Sequence, residues 1–334
     1  MDSILFFSFI IPVYNRPDEI DELLNSMINL DYNNDYEIVI IEDGSNDSCE
    51  HIINQFPKLN ISYYFKENSG PGDSRNYGMS NAKGNYFLIL DSDVILPSNY
   101  LKEVENNLNK NYVDCFGGID TAHESFTDIQ KAIDYSMTSF FTTGGIRGGN
   151  EVISKFQPRS FNMGISKSAF LQSNGFGKIH PGEDPDLSIR LWNLGYETAL
   201  FQSVSVFHKR RISWSKFKIQ VSKFGKCRPI LNYWHPQTSK LTYWFPTLFI
   251  LGILLSILGL FLGNIVLILL YSIYFNLILI ESFIKYKSLK ISFLSLFAVL
   301  IQFYGYGLGY LISYLKINLF NQNPEKAFPN LFFK

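Results

Sequence analysis

Apolar runs of strand length alternate with helical patterns along the first hundred residues. Buried strands are predicted for FFSFIIPV, YEIVII, ISYYF and NYFLIL, each a mostly apolar run. Helices are predicted over PDEIDELLNSMINL, around DSCEHIINQF and from about Gly72 to Ala82. Strands that alternate with helices form βαβ units, so the pattern predicts an α/β fold with a mostly parallel sheet.

Two long segments near the other end of the chain carry no charge. One runs from Tyr243 to Ile280 and the other from Ile291 to Leu315. A helix needs roughly 20 apolar residues to cross a bilayer, so the first segment fits two spans turned at Gly263–Asn264 and the second fits one. The predicted membrane region is 243–315, with two to three helices at about 243–262, 265–283 and 291–314, and a tail at 316–334.

The third apolar segment contains a G-x-x-x-G at Gly305 and Gly309. This spacing either packs the third helix against the other two or, as part of YGYGLGY, breaks it.

The pattern is looser from about Val113 to Phe207. A helix is predicted over EDPDLSIRLWNLG, with Pro185 in its first turn and Gly195 as its stop. A basic amphipathic helix is predicted next, at about 212–228, where it suits either a membrane interface beside anionic lipid or plain packing on the domain.

Composition and charge exclude few classes of function. The formal net charge of −1 gives no global attraction to nucleic acid. The apolar N-terminal run is interpreted as a first strand and not as a signal peptide, because Asp2 replaces the expected positive charge. The 3 cysteines are far apart and fit a reducing cytoplasm.

Acidic residues cluster at three places where predicted strands end or a helix begins. Asp43 lies in IIEDGSND, Asp91 and Asp93 lie in LDSDV, and Glu183 and Asp184 lie in HPGEDPDLSIR. Ligands of parallel sheets sit beyond the carboxyl ends of the strands, where the first two clusters should meet. A single aspartate after a strand is more often a turn residue, but carboxylates together with substrate phosphates are typical of Mg²⁺ sites.

Four segments, IIPVYNRPDEIDELLNSM, VIIEDGSND, GPGDSRNYGMSNAKGNYFLILDSDV and GEDPDLSIRLWNLGY, resemble the successive motifs of glycosyltransferase family 2. Members of this family are inverting enzymes of the GT-A fold that use nucleotide-diphosphate sugars. The resemblance covers roughly residues 4–230. It implies a GT-A catalytic domain at 1–230, with a nucleotide-binding half at about 1–112, an acceptor-binding half at about 113–210 and the basic helix.

The resemblance also implies donor-site roles for a set of residues near the strand ends. These are Pro12, Tyr14 and Asn15 beside the base, Asp43 accepting from its N–H edge, Arg75 and Asn76 on the nucleotide side, Asp91 and Ser92 at the ribose or metal shell, and Asp93 directly on the metal. The metal is expected to be Mg²⁺ or Mn²⁺. His208 in VFHKRR is a further candidate metal ligand, with an ordinary histidine as the alternative.

The resemblance makes Asp184 the general base, with Glu183 as the fallback. Inversion requires a carboxylate that deprotonates the acceptor hydroxyl, on the opposite side of the sugar from the metal-bound leaving group. An acidic helix N-terminus is the simpler reading of EDPD, because the helix dipole favours it. Arg147 and Arg159 are candidate diphosphate or acceptor clamps, and Asn162 is a candidate for the sugar or acceptor pocket.

The predicted function is transfer of a sugar to a membrane-proximal, lipid-linked glycan in cell-surface polysaccharide biosynthesis. The alternatives are a polyprenyl-phosphate glycosyltransferase and, in a different class, a non-catalytic membrane scaffold. No Q-x-x-R-W element follows the base motif, which argues against a processive synthase. The expected partners are a nucleotide-sugar donor, the glycan acceptor and membrane lipids, without nucleic acid.

The lysines and arginines beside the apolar segments predict the orientation in the membrane. They lie between HKRR and GKCR before the first span, and at Lys285, Lys287 and Lys290 after the second. The positive-inside tendency places both groups, and the catalytic domain, on the cytoplasmic face of the cell membrane. A third crossing would place the residues after it outside, unless that segment is re-entrant.

Overall fold

The computed structural model describes residues 5–121, 126–143, 155–208 and 213–333. The strands are β1 (Phe7–Val13), β2 (Tyr36–Asp43), β3 (Ile61–Lys66), β4 (Tyr86–Leu90), β5 (Val94–Ile95), β6 (Cys115–Thr121), β7 (Asn162–Ser166) and β8 (Thr198–His208). The helices are α1 (Pro17–Ile28), α2 (Glu50–Ile53), α3 (Pro71–Asn81), α4 (Tyr100–Lys110), α5 (Asp128–Thr138), α6 (Phe140–Thr143), α7 (Lys167–Ser173), α8 (Glu183–Asn193), α9 (Trp214–Trp234), α10 (Phe245–Phe261), α11 (Val266–Tyr286), α12 (Leu289–Tyr314) and α13 (Pro324–Ala327).

The described strands form one 8-stranded sheet in the order β3-β2-β1-β4-β7-β6-β8-β5. The first four strands in this order are parallel, as is the β6–β8 pair, whereas β7 runs antiparallel to both of its neighbours. All five residues of β4 are buried, which explains its continuous apolar run. The predicted α/β class with a mostly parallel sheet is confirmed.

The chain divides into two compact units. Among the described residues, the first unit contains 5–121, 155–208 and 332–333, and the second contains 126–143 and 213–331. The first unit holds the whole sheet, and its residues 332–333 are far in sequence from the rest.

Parallel pairing aligns the carboxyl ends of the strands that carry the predicted donor residues. Val13 lies opposite Glu42 in the β1–β2 register, and Asp43 lies opposite Lys66 in the β2–β3 register. The segment that begins with Asp91 follows β4 directly, and β4 pairs in parallel with β1. The polar residues after these strands therefore share one edge of the sheet.

The second unit contains, in its described part, three helices long and apolar enough to cross a membrane. They run over Leu241–Phe261, Val266–Tyr286 and Leu289–Leu319, with mean hydropathies of 2.2, 2.0 and 1.7. Only 17% and 11% of the most apolar windows of the first two are buried within the protein, against 44% for the third. The third helix is thus much more covered by protein than the other two.

Helix α12 is unbroken through YGYGLGY. Gly305 and Gly309 lie against α9, whereas a Cβ at Gly307 would meet the backbone at the start of α10. A Cβ at Gly305 would meet Val221, and one at Gly309 would meet the backbone of Ser222. Conversely, a Cβ at Gly225 of α9 would meet the backbone of Tyr306. The glycines allow the two helix backbones to approach closely. The apolar face predicted for α9 is therefore packed within the second unit.

Candidate active site

Asp43, at the end of β2, is held by the turn that leads into α3. Its Oδ1 accepts from Lys66 Nζ at 2.6 Å and from the Ser69 N–H at 2.9 Å, and its Oδ2 accepts from the Gly70 N–H at 2.9 Å. The residue is only 4% exposed. A buried carboxylate requires such partners, so the turn and the carboxylate position one another.

The loop after β1 is tied to the loop after β2 by Asn15. Its backbone N–H donates to Ser45 Oγ at 2.7 Å, and its Oδ1 accepts from the Asn46 N–H at 2.8 Å. Asn15 has a φ of +53°, a conformation that asparagine tolerates better than most residues. Tyr14 is exposed and Pro12 is half-buried at the same edge. Pro12, Tyr14 and Asn15 thus lie at the same sheet edge, and their contact with a base stays a prediction.

The buried guanidinium of Arg75, on α3, joins two of the acidic clusters. Its Nη2 donates to Asp91 Oδ1 at 2.8 Å, and its Nη1 donates to Glu183 Oε1 at 3.3 Å. The Arg75 side chain is 4% exposed and Glu183 6%, whereas Asp91 is 35% exposed. The structure therefore brings the segment after β4 and the start of α8 to one cation, although Arg75 and Glu183 are 108 residues apart.

The rest of the D-x-D segment is held by α1. Ser92 Oγ donates to Glu19 Oε2 at 2.9 Å, and Arg16 Nη1 lies 2.9 Å from Glu19 Oε2 and 3.7 Å from Asp93 Oδ2. The backbone of His208 pairs opposite Val94, next to Asp93 in the chain. The side chain of His208 is outside the described part of the structure, so its ligand role stays a prediction.

The two carboxylates at the start of α8 differ in their surroundings. Burial raises the pKa of Glu183, but the hydrogen bond and charge of His180 and the charge of Arg75 outweigh burial, so this pKa lies below its usual range. For Asp184, burial and the neighbouring Glu183 charge raise the pKa above its usual range, although Arg75 and Arg159 oppose this. Glu183 is therefore the fixed charge, and Asp184 is the group that can accept a proton near neutral pH.

The two oxygens of Asp184 are used differently. Oδ2 accepts from the Ser160 N–H at 3.2 Å, whereas Oδ1 is buried and has no hydrogen-bond partner among the described residues. A buried carboxylate oxygen without a hydrogen-bond donor lowers the stability of the fold, unless a bound ligand supplies the donor.

Residues 8–170, just under half of the chain, match the sequence profile of glycosyl transferase family 2. The chain carries a family 2 glycosyltransferase domain. An uncharacterized glycosyltransferase of Rickettsia typhi is 40% identical over 103 residues, which are 31% of this chain and 32% of that protein. A poly(ribitol-phosphate) beta-glucosyltransferase of Bacillus spizizenii is 38% identical over 139 residues, which are 38% of this chain and 22% of that protein. The chain spans about a third or less of the length of these relatives.

A solved structure extends the likeness beyond the matched residues. The mannosyltransferase of Pyrobaculum calidifontis, solved in complex with GDP-Man and Mn²⁺, superposes with a TM-score of 0.57. It covers 95% of this chain and 88% of its own at 15% identity, so the likeness concerns the fold alone. The predicted GT-A fold is confirmed.

The family 2 domain has carboxylates that suit a divalent cation. Asp91 and Asp93 supply the hard oxygen ligands that Mg²⁺ and Mn²⁺ prefer. In the described ranges, no cluster of three or more His, Cys, Asp or Glu residues could hold a metal by itself. An ion held by one or two carboxylates plus substrate phosphates needs no such cluster. The D-x-D pair therefore fits a metal that is bound together with a diphosphate.

Asn76 and Asn162, which were predicted as site residues, form hydrogen bonds within the protein through their side-chain amides. Asn76 pairs with both the N–H and the C=O of Phe176, at 2.8 and 2.9 Å. Asn162 is fully buried and bonds to Tyr100 Oη at 2.8 Å and to the Val204 C=O at 3.2 Å. Asn162 thus stabilises the sheet rather than lining a pocket. Arg147 lies outside the described residues.

Four residues of the site were not predicted from the sequence: Arg16, Glu19, Lys66 and His180. His180 Nδ1 lies 2.8 Å from Glu183 Oε1, three residues further along the chain. The H-x-x-E spacing in HPGED was a local signal for this pair. Lys66 could have been found from its place at the end of the third strand, opposite Asp43.

We expect Arg75→Met to destabilise the protein by about 3–5 kcal/mol, because it leaves the buried Glu183 without its cation. Thermal unfolding of the purified full chain measures the effect. Arg16→Met is the matched control, since Arg16 is 51% exposed and its ion pairs contribute about 0–1 kcal/mol. Glu183→Gln in the Arg75→Met background should recover part of the loss. Equal stability of the two single variants would contradict the bridging role.

Proposed function

We propose that the protein is an inverting glycosyltransferase. It transfers a sugar from a nucleotide-diphosphate sugar to a membrane-proximal, lipid-linked glycan in cell-surface polysaccharide biosynthesis. The observation that carries this proposal is the buried Asp184 Oδ1, which has no hydrogen-bond partner in the described part of the chain.

The surroundings of Asp184 suit a general base. An inverting transfer removes a proton from the acceptor hydroxyl as that oxygen attacks the anomeric carbon. Asp184 Oδ1 is the free acceptor for this proton, and its raised pKa brings its basicity closer to that needed near neutral pH. Glu183 is engaged by Arg75 and His180, which makes it a positioning residue rather than the base.

The opposite side of the site suits the leaving diphosphate. Asp91 and Asp93 would hold a divalent metal, which when bound neutralises the charge that develops on the leaving phosphate. Arg75 keeps Asp91 within hydrogen-bond distance while it also binds Glu183. One guanidinium therefore fixes the spacing between the metal-binding segment and the base motif, and a sugar is proposed to bind between them.

The relatives and the apolar helices support the proposed acceptor. The Bacillus spizizenii relative is by its name a glucosyltransferase acting on poly(ribitol-phosphate), a polymer that carries phosphate groups. Two helices of the second unit are mostly uncovered and long enough to span a bilayer. An acceptor held at the membrane surface is therefore favoured. A polyprenyl phosphate as the acceptor, or a scaffold without turnover, are outcomes of the tests below.

Asp184→Asn tests the base. We expect kcat for sugar transfer to fall by roughly 10²–10⁴-fold, since a general base contributes about that factor. The Kd for UDP or GDP should stay close to that of the wild type, because the nucleotide is bound on the other side of the site. The assay follows nucleotide release from UDP-glucose, UDP-GlcNAc and GDP-mannose by the full chain.

Asp31→Asn is the control, because the Asp31 side chain is 66% exposed and forms an ion pair with Lys102 at 2.5 Å on the surface. The wild type should also gain kcat as the pH rises through the pKa of Asp184, which lies above the usual value of about 3.9. The base is active when ionised, so activity is lost on the acidic side. Wild-type turnover by Asp184→Asn would make the base assignment wrong.

Chelation tests the metal. We expect EDTA to stop donor turnover and added Mn²⁺ or Mg²⁺ to restore it, because Asp91 and Asp93 alone add negative charge beside a diphosphate. UDP binding measured by calorimetry should strengthen when the metal is added to the wild type. It should not respond to the metal in an Asp93→Asn variant. Full activity in EDTA would contradict the proposal that donor turnover depends on a metal.

We further propose that the second unit crosses the membrane twice, through α10 and α11. Residues up to 208 and residues 332–333 both belong to the first unit, so the chain between them must cross an even number of times. Helix α12 is proposed as the one that does not cross, because 44% of its most apolar window is buried within the protein and it packs closely on the basic helix α9 as well as on the start of α10. This arrangement replaces the third crossing suggested by apolar length.

Impermeant maleimide labelling in sealed vesicles tests the number of crossings. Single cysteines replace three exposed residues: Lys58 in the first unit, Asn264 between α10 and α11, and Gln322 after α12. The natural cysteines are buried and should remain unlabelled. We expect Gln322→Cys to be labelled from the same face as Lys58→Cys, and Asn264→Cys from the opposite face. Labelling of Gln322→Cys together with Asn264→Cys would mean three crossings.

A further inference from the structure

Residues 332–333 are anchored in the first unit beside the segment that leads into α8. Phe332 forms an antiparallel bridge with Ile179, and the Phe333 N–H donates to the Lys178 C=O at 3.1 Å. Ile179 is 1% exposed, so the anchor point is part of the folded core. The backbone at 332–333 is therefore held beside Lys178 and Ile179. His180 follows these residues directly, and Glu183 comes three residues after His180.

The ring of Phe333 lies directly on Gly70. A Cβ built on Gly70 would overlap the Phe333 ring carbons, so a residue with a side chain cannot occupy position 70 while the ring is there. Gly70 also has a φ of +94°, which favours glycine. Its N–H is one of the donors to Asp43, at 2.9 Å. The ring thus covers the turn that holds the carboxylate expected to read the nucleotide base.

The same ring reaches the base motif through His180. The centroids of the Phe333 and His180 rings are 5.8 Å apart, with 52° between the ring planes. His180 Nδ1 lies 2.8 Å from Glu183 Oε1, and Glu183 pairs with Arg75. One aromatic side chain therefore contacts the turn under Asp43 on one side and a partner of Glu183 on the other.

We propose that Phe333 is a positioning residue of the nucleotide-sugar site, which sets donor affinity by holding the Gly70 turn and His180 in place. The inference rests on the proposed function, because it takes Asp43 and Glu183 as parts of a donor site. It adds that residues 332–333, which follow the apolar helices in the sequence, contribute to donor binding within the first unit. A simple hydrophobic anchor would predict a loss of stability without a change in nucleotide affinity.

The first experiment compares Phe333→Ala with Phe333→Tyr and with Phe320→Ala in the full chain. Phe320 is 64% exposed in the second unit and serves as the control for loss of an aromatic ring. We expect Phe333→Ala to raise the donor KM and the Kd for UDP or GDP about tenfold, as expected for a lost aromatic contact and loosened turn. Phe333→Tyr keeps the ring and should retain wild-type affinity, as should Phe320→Ala.

The second experiment is a double-mutant cycle with Gly70→Ala. In the wild type, the new methyl group would collide with the Phe333 ring, whereas in Phe333→Ala that space is empty. The strain from the positive φ at position 70 is present in both backgrounds and cancels in the comparison. Gly70→Ala should therefore weaken UDP binding less in the Phe333→Ala background than in the wild type.

The outcomes separate this inference from the proposed function. A wild-type chain that neither turns over any of the three nucleotide sugars nor binds UDP or GDP overturns the proposed function and the inference with it. An active wild type in which Phe333→Ala has unchanged KM and Kd overturns the inference alone. So does a Phe333→Ala variant that loses thermal stability and kcat but keeps its KM and Kd, or an additive cycle with Gly70→Ala.

Discussion

The candidate site depends on one buried cation, the guanidinium of Arg75. It is 4% exposed and reaches Asp91 at 2.8 Å and Glu183 at 3.3 Å. A buried charge is tolerated only when its partners satisfy it, so α3, the end of β4 and the start of α8 cannot move independently without leaving a charge unpaired. The separation between the proposed metal ligands and the proposed base is thereby fixed before any substrate binds, which is the preorganisation that transfer requires.

The same cation contributes to the different properties of two adjacent carboxylates. Glu183 has both Arg75 and His180 as partners and keeps a lowered pKa. Asp184 is half-buried, lies beside the Glu183 charge and, among the described residues, accepts a hydrogen bond from one backbone donor, Ser160. Environments that push neighbouring pKa values apart distinguish acid–base roles. Here they distinguish the positioning carboxylate from the proposed base.

The sequence predicted the features that are local. Apolar runs identified β1 to β4, and the residues after these strands were the correct candidates for one sheet edge because parallel pairing aligns strand ends. Pairings between distant residues were not predictable. No periodic pattern indicates that Arg75 forms an ion pair with Glu183, 108 residues away in the sequence. Nor does any pattern indicate that Asn162 accepts a hydrogen bond from Tyr100 in the core. Apolar length also does not reveal that Gly305 and Gly309 pack on α9, and the number of membrane crossings stays a prediction.

The position of residues 332–333 within the first unit bears on the proposed number of membrane crossings. Phe332 pairs with Ile179 in the first unit, so a helix that crossed the membrane a third time would carry the chain away from its own anchor. The proposal that α12 is the helix that does not cross avoids this conflict, and it is favoured by the burial of 44% of its most apolar window within the protein. The chain is then free to return to the Gly70 turn. The proposed two crossings and the contact of Phe333 with the Gly70 turn are thus both related to the same backbone path.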